Sequence, residues 1–453
     1  MEVLFRSPLG ALLAKPWVDQ AGLFGLKRWY FPLSRLWAAA NAAGDDTAHF
    51  RDEIGAPVAA WPEPYLRSVL ARNAGRKSAA EAVRAAWEAS LFGDGPDEDG
   101  LLLDQRRRAA ATRHLATRAS FYPLLFPTRP PSARWEIDQP AHVEHHFGDA
   151  IARPESLYDV AVDADTVVAS RPVTRDGLRE YWLRAPTPAP RLRQRPGSEV
   201  LYVRVIEPAD PVPHPTLVFG SGLCLEFELL AVARGPSARL ADLGWRVVEP
   251  ISPYHGLRAM PGRYGGEPFF AAGPTSAIDL ISGQAIESAL LTAWCRRHFG
   301  GKVALAGISM TSFVAQQAAS RCHLWPAEAR PDGVMLISHS GRIEDVTFGG
   351  ALAVTLGLDR ALARAGWSRE ALARLSTLID PAAEPALAPS NIVSVLGETD
   401  LWVPYDDGLA VARQWRLPPA NIFRYPLGHL GMPVQLTRDV APFERLRQVL
   451  AGP

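Results

Sequence analysis

From residue 215 onward, short apolar runs bounded by glycine, proline and asparagine alternate with longer stretches whose apolar residues recur at helical spacing. Residues 215–219, 245–249, 303–306, 333–337, 391–396 and 421–425 read as buried strands, and 226–243, 276–299, 311–320 and 406–415 as helices. Alternation of this kind predicts a mostly parallel sheet with helices on both faces. Strand-like segments at 158–162, 166–170, 181–183 and 200–205 predict antiparallel strands that open the sheet. Helical spacing at 348–358, 360–365 and 368–379 predicts a helical cap inserted at about 341–389. Upstream, 33–43, 79–91 (with Ser78 and Glu81 as a capping box) and 102–119 predict an N-terminal helical region over 1–130, leaving 131–453 for the sheet unit. Proline-rich stretches at 127–140 and 186–196 read as a linker and a surface loop.

Between the strand at 303–306 and the helix that follows stands Gly307-Ile308-Ser309-Met310-Thr311. A serine on so sharp a turn needs small residues two positions to either side, because larger ones collide with neighbouring backbone. Gly307 meets that demand and Thr311 meets it in part. Asp400 follows the strand at 391–396, and His429, flanked by Gly428 and Gly431, follows the strand at 421–425. The order Ser309, Asp400, His429 gives a nucleophile, an orienting acid and a general base, each beyond the carboxyl end of a strand, where ligands bind on such sheets. Gly220-Ser221-Gly222 after the strand at 215–219 is a turn whose amides can approach a substrate. Oxyanion donors are therefore expected from Met310 and from Ser221 or Gly222. Each residue also has a plainer reading, with Ser309 and Asp400 as helix caps and His429 as a loop residue.

On these residues the chain resembles the α/β-hydrolase superfamily over roughly half its length. Within it, Val218-Phe219-Gly220-Ser221-Gly222, the segment from Glu249 to Gly256, Gly307-Ile308-Ser309-Met310, and Asp400 with Pro404 are similar to the α/β-hydrolase domain-containing 18 group. His255 stands here in place of that group's aromatic residue and Thr311 in place of its last elbow glycine. The resemblance implies an α/β-hydrolase fold and lipid deacylation as a substrate class. The function expected is ester hydrolysis, of a hydrophobic acyl group, through an acyl-enzyme on Ser309 and without a cofactor. The alternatives are an amide or thioester hydrolase, an acyltransferase, or a catalytically silent binding protein of the same fold. Apolar residues of the cap are expected to line an acyl pocket, and His255 and Arg258 to meet a polar or anionic head group, although Arg258 can equally pair with Glu267.

Composition narrows the partners. With 48 basic and 48 acidic residues in 453, net charge is zero and nothing global argues for nucleic acid. Cys224, Cys295 and Cys322 fit reduced thiols, and with no signal-peptide pattern at the start the cytoplasm is the expected address. His142, His145 and His146 with Glu144 lack a recognised ligand spacing, and the acidic turn at 93–100 lacks that of a calcium loop, so no metal is expected. In the first 41 residues Phe5, Trp17, Phe24, Trp29, Tyr30, Phe31 and Trp37 alternate with Arg6, Lys15, Lys27, Arg28 and Arg35. Packing against the rest of the protein or a second subunit is the favoured reading of these aromatics; peripheral contact with a bilayer is the other.

Overall fold

A computed structural model describes residues 16–55, 61–93, 99–126, 130–224 and 235–452. Among the described residues ten strands form a single sheet: β1 (Val168–Ala169), β2 (Val173–Arg175), β3 (Leu178–Pro186), β4 (Val200–Pro208), β5 (Thr216–Gly220), β6 (Arg246–Pro250), β7 (Val303–Ile308), β8 (Gly333–Ile337), β9 (Ile392–Gly397) and β10 (Ile422–Tyr425). Their order is β1-β3-β4-β6-β5-β7-β8-β9-β10, with β2 paired to β3. Pairing is antiparallel from β1 through the β4–β6 contact and parallel from β6 to β10. An antiparallel start, a crossover that seats β5 between β6 and β7, and a parallel remainder make this an α/β-hydrolase fold.

The central strands are mostly apolar because both faces are covered: β5, β7, β8 and β9 are buried at every position. One face packs on the long helix Thr275–Phe299 and the elbow helix Met310–Arg321. The other packs on Leu240 of the helix Gly235–Asp242 and on Phe443, Leu446 and Leu450 of the helix Ala441–Ala451.

Several expectations need correction. Residues 158–162 form no strand; Tyr158 is buried and its hydroxyl donates to the Leu378 carbonyl at 2.6 Å, while Val160 and Val162 pack on Ala189, Leu192 and Ile286. The stretch at 186–196 is no free surface loop, since Thr187, Ala189 and Leu192 are buried and Arg191 and Arg195 hold Asp279 at 2.5 and 2.6 Å. Ser78 caps nothing, because the helix runs unbroken over Glu63–Phe92 with Leu66, Val69, Leu70 and Asn73 giving its first half a buried face. The cap is a chain of short helices, Ile343–Gly349, Ala351–Leu356, Leu358–Arg364, Arg369–Ala373 and Ser376–Ile379, interrupted at Gly350 and Gly357. Phe5, most of the acidic turn and the first part of the helix expected at 226–243 lie outside the described residues.

The N-terminal helices are tied to the sheet unit by charge as well as packing. Fully buried Arg35, on the helix Phe31–Ala43, donates to the Gly262 carbonyl at 2.7 Å and pairs with Glu53 at 2.9 Å and Glu267 at 3.4 Å. Phe31 of the same helix packs with Tyr264 and Phe270. No helix among the described residues is long and apolar enough to cross a membrane.

Candidate active site

The turn after β7 places Ser309 at φ 57° and ψ −118°, a left-handed backbone that an ordinary residue adopts only under constraint. The constraint comes from close packing. A Cβ on Gly307 would lie 2.1 Å from the Thr311 carbonyl oxygen, so glycine is required there. Thr311 is accommodated because the strain is relieved on the next strand: Gly220 lies opposite Gly307 in register, and a Cβ on Gly220 would meet the Thr311 Cβ at 2.8 Å. The threonine also adds hydrogen bonds. Its hydroxyl donates to the Gly220 carbonyl at 2.8 Å and accepts from the Ile308 amide at 3.0 Å, joining the ends of β5 and β7 beneath the serine.

Three chain segments converge on Ser309. His429 Nε2 lies 3.0 Å from Ser309 Oγ, and His429 Nδ1 lies 2.7 Å from Asp400 Oδ2. Asp400 is buried, and its Oδ1 accepts from the amides of Trp402 and Val403 at 2.9 and 3.0 Å, which fixes the carboxylate and aims Oδ2 at the imidazole. The Trp402 ring stacks on His429 with centroids 5.0 Å apart and planes 14° from parallel. Burial pulls the imidazole pKa down, but the charge and hydrogen bond of Asp400, with a smaller contribution from Asp19, outweigh it and leave His429 above its ordinary value. A base of this kind is strong enough to take a hydroxyl proton and gains stability once charged.

Met310 opens the elbow helix, so its amide belongs to the first turn, where backbone donors lack intrahelical acceptors. Ser221 and Gly222 follow directly on β5, beside the elbow, and Leu223 of the same turn faces Ser309 across a cavity of about 100 Å³. That cavity is lined by Phe269, Phe313, Ile343, Val346, Leu352 and Leu356 together with Ser309 and His429. Cap residues therefore form one wall, and among the described residues no carboxylate, lysine or arginine contributes to the lining. A larger cavity, about 310 Å³, lies between the N-terminal helices and the antiparallel edge, but Arg108–Glu180 and Arg204–Glu180 ion pairs occupy its wall in place of a nucleophile and base.

His255 and Arg258 are not where a head group could reach them. His255 is buried, with Nδ1 against the Pro253 carbonyl and Nε2 accepting from the Cys224 amide at 3.1 Å, and burial lowers its pKa to about 4. Arg258 is fully buried and paired with Glu287, not Glu267, at 2.7 and 2.9 Å, while it also donates to the Ile251 and Ser198 carbonyls. Both residues fix the loop that follows β6, which forms the site's far wall through Phe269. Their polarity mimics a ligand site in sequence because a buried hydrogen-bonded network uses the same residue types. The histidines near 142–146 make local pairs: His142 with Asp138, His146 with Arg191, and neighbouring Glu144 with Arg374.

One residue with a place at the site was missed. Asp19, on the helix Pro16–Gly25, is buried against the His429 loop and accepts from the His429 amide at 2.6 Å and the Leu430 amide at 2.9 Å. In the sequence it reads only as an interruption of an apolar stretch, 410 positions from its partner.

No protein-family model matches the chain, and no curated protein matches it. Solved structures similar to it include acetyl xylan esterase 1 from Thermoanaerobacterium (14% identity, 67% of this chain and 96% of that one, TM-score 0.43). An S-formylglutathione hydrolase from Agrobacterium tumefaciens (15%, 61% and 98%, 0.37) and the bacterial brefeldin A esterase (17%, 68% and 87%, 0.36) are others. At these identities and TM-scores the similarities add nothing to the topology and geometry above.

Proposed function

We propose that the protein is a serine hydrolase that cleaves an ester of an apolar acyl group through an acyl-enzyme on Ser309. The observation that carries this reading is the hydrogen-bonded chain from Ser309 through His429 to Asp400 at the floor of an apolar cavity. His429 Nε2 accepts the hydroxyl proton as Ser309 Oγ attacks the acyl carbonyl, and the imidazolium is held by Asp400. The developing oxyanion is met by the Met310 amide and by an amide of Ser221 or Gly222. His429 then gives its proton to the departing alcohol as the acyl–oxygen bond breaks. A water deprotonated by the same nitrogen releases the acid. No step calls for a metal or organic cofactor. The apolar lining supports a hydrophobic acyl group, and the similarity to the α/β-hydrolase domain-containing 18 group supports a lipid as its source.

Labelling of the purified protein with a fluorophosphonate tests the reading: wild type should react and Ser309→Ala and His429→Ala should not. p-Nitrophenyl esters of increasing chain length then read the acyl preference. A folded wild type that resists the probe would leave a binding protein of this fold.

A further inference from the structure

Resting on the serine-hydrolase reading, we infer that Asp19 is a positioning residue for His429, so that the helix Pro16–Gly25 completes the active site from the far end of the chain. The contact is specific on both sides. Asp19 Oδ2 accepts from the His429 amide and Oδ1 from the Leu430 amide, so both carboxylate oxygens are used on consecutive backbone groups. Gly428 makes room for this: a Cβ there would lie 2.2 Å from Asp19 Oδ2 and 2.5 Å from its Cγ. Gly428 does not have a positive φ, so the need for glycine at this position is for space to admit the carboxylate. One turn on from Asp19, Gly22 packs against the Leu430 side chain, which seats the helix on the loop a second time.

The helix Gly431–Arg438 begins immediately after Leu430 and has no side-chain cap of its own. Asp19 supplies an anion at that end, where helix amides and the macrodipole favour one. The loop is thereby held from outside while Asp400 holds the ring from inside. Among the described residues the charged groups acting on the imidazole are these two carboxylates, on two different elements, and both favour the protonated ring. Removing the Asp19 charge lowers the histidine pKa, and removing its hydrogen bonds frees the loop on which the Nε2 to Ser309 Oγ distance depends.

The test is the second-order rate of fluorophosphonate labelling, against pH, for wild type, Asp19→Asn and Asp19→Ala, with circular dichroism and melting on each. Asp19→Asn should remain folded and shift the acid limb of the profile several tenths of a unit toward lower pH. Asp19→Ala should lower the plateau rate by about ten- to a hundredfold, and the asparagine variant, which keeps one acceptor oxygen for the two amides, should recover part of that loss. A purely structural role would lower the melting temperature and leave the limb where it is. Folded variants with the wild-type limb and plateau overturn the inference while labelling at Ser309 stands. A wild type that does not label overturns the hydrolase reading and this one together.

Discussion

Replacing Thr311 by valine keeps the shape of the side chain and removes its hydroxyl. That hydroxyl bonds the Gly220 carbonyl at 2.8 Å and the Ile308 amide at 3.0 Å in a fully buried position. Each backbone group left without a partner in such a place costs about 1–3 kcal/mol, so Thr311→Val should destabilise the protein by roughly 2–6 kcal/mol. Thr311→Ser keeps both bonds and loses one methyl, which should cost only about 1 kcal/mol. Equilibrium unfolding in urea for the three proteins gives the order directly. Because the two bonds lie beneath Ser309, the valine variant should also label more slowly with a fluorophosphonate than the serine variant. Serine costing more than valine would mean that the methyl contact with Gly220 matters and the bridge between β5 and β7 does not.

Gly220→Ala should lose about 1–3 kcal/mol through overlap with Thr311, and the added change Thr311→Gly should recover part of it, a coupling read by a double-mutant cycle. Glu287→Gln leaves Arg258 buried without its counter-charge and should cost about 3–5 kcal/mol in unfolding free energy; any soluble variant should retain the wild-type KM for anionic and neutral esters alike. With His429 raised, kcat/KM should fall as pH drops through a limb above the ordinary imidazole value of about 6.5, because the protonated ring cannot serve as base. His255 works in the opposite sense on stability. Its folded pKa of about 4 lies below its unfolded value, so stability is lost as pH falls from about 6.5 and the loss saturates near the folded pKa. Urea midpoints against pH measure this, and His255→Gln should flatten the curve. Trp17 and Phe24 are 55% and 61% exposed; if they meet a bilayer, Trp17→Ser with Phe24→Ser should reduce co-sedimentation with anionic vesicles without changing hydrolysis of a soluble ester. Deleting the first 41 residues would be a poorer test, because it removes Asp19 and Arg35 as well.

The strands from β5 to β10 were legible because each is a short apolar run closed by a turn, and the residues that end them are the ones that meet at the site. Ser309, Asp400 and His429 could be placed on loops from the strands that precede them and from their chain order, although their distances could not. Contacts formed only by folding were invisible. Asp19 has no local signature as a partner of a loop 410 residues away. Arg258 and His255 carried the wrong message, since a sequence reports that a group is polar and not that its neighbours have already satisfied it. At 158–162 an apolar run with strand periodicity was used for packing instead, with Tyr158 bonded to the Leu378 carbonyl and Val160 and Val162 set on Ala189, Leu192 and Ile286.

The reach of Asp19 also orders events during biosynthesis. The carboxylate emerges early, and the backbone amides it holds follow 410 and 411 residues later, which at about 5–20 residues per second is some 20 to 80 s. Throughout that interval the helix Pro16–Gly25 has no His429 loop to dock on, and the nascent chain can have neither a seated histidine nor a finished cavity beside Ser309. On the reading proposed above, Ser309 would likewise wait for a base that follows it by 120 residues, which keeps the strained serine idle until the His429 loop has been made and has docked.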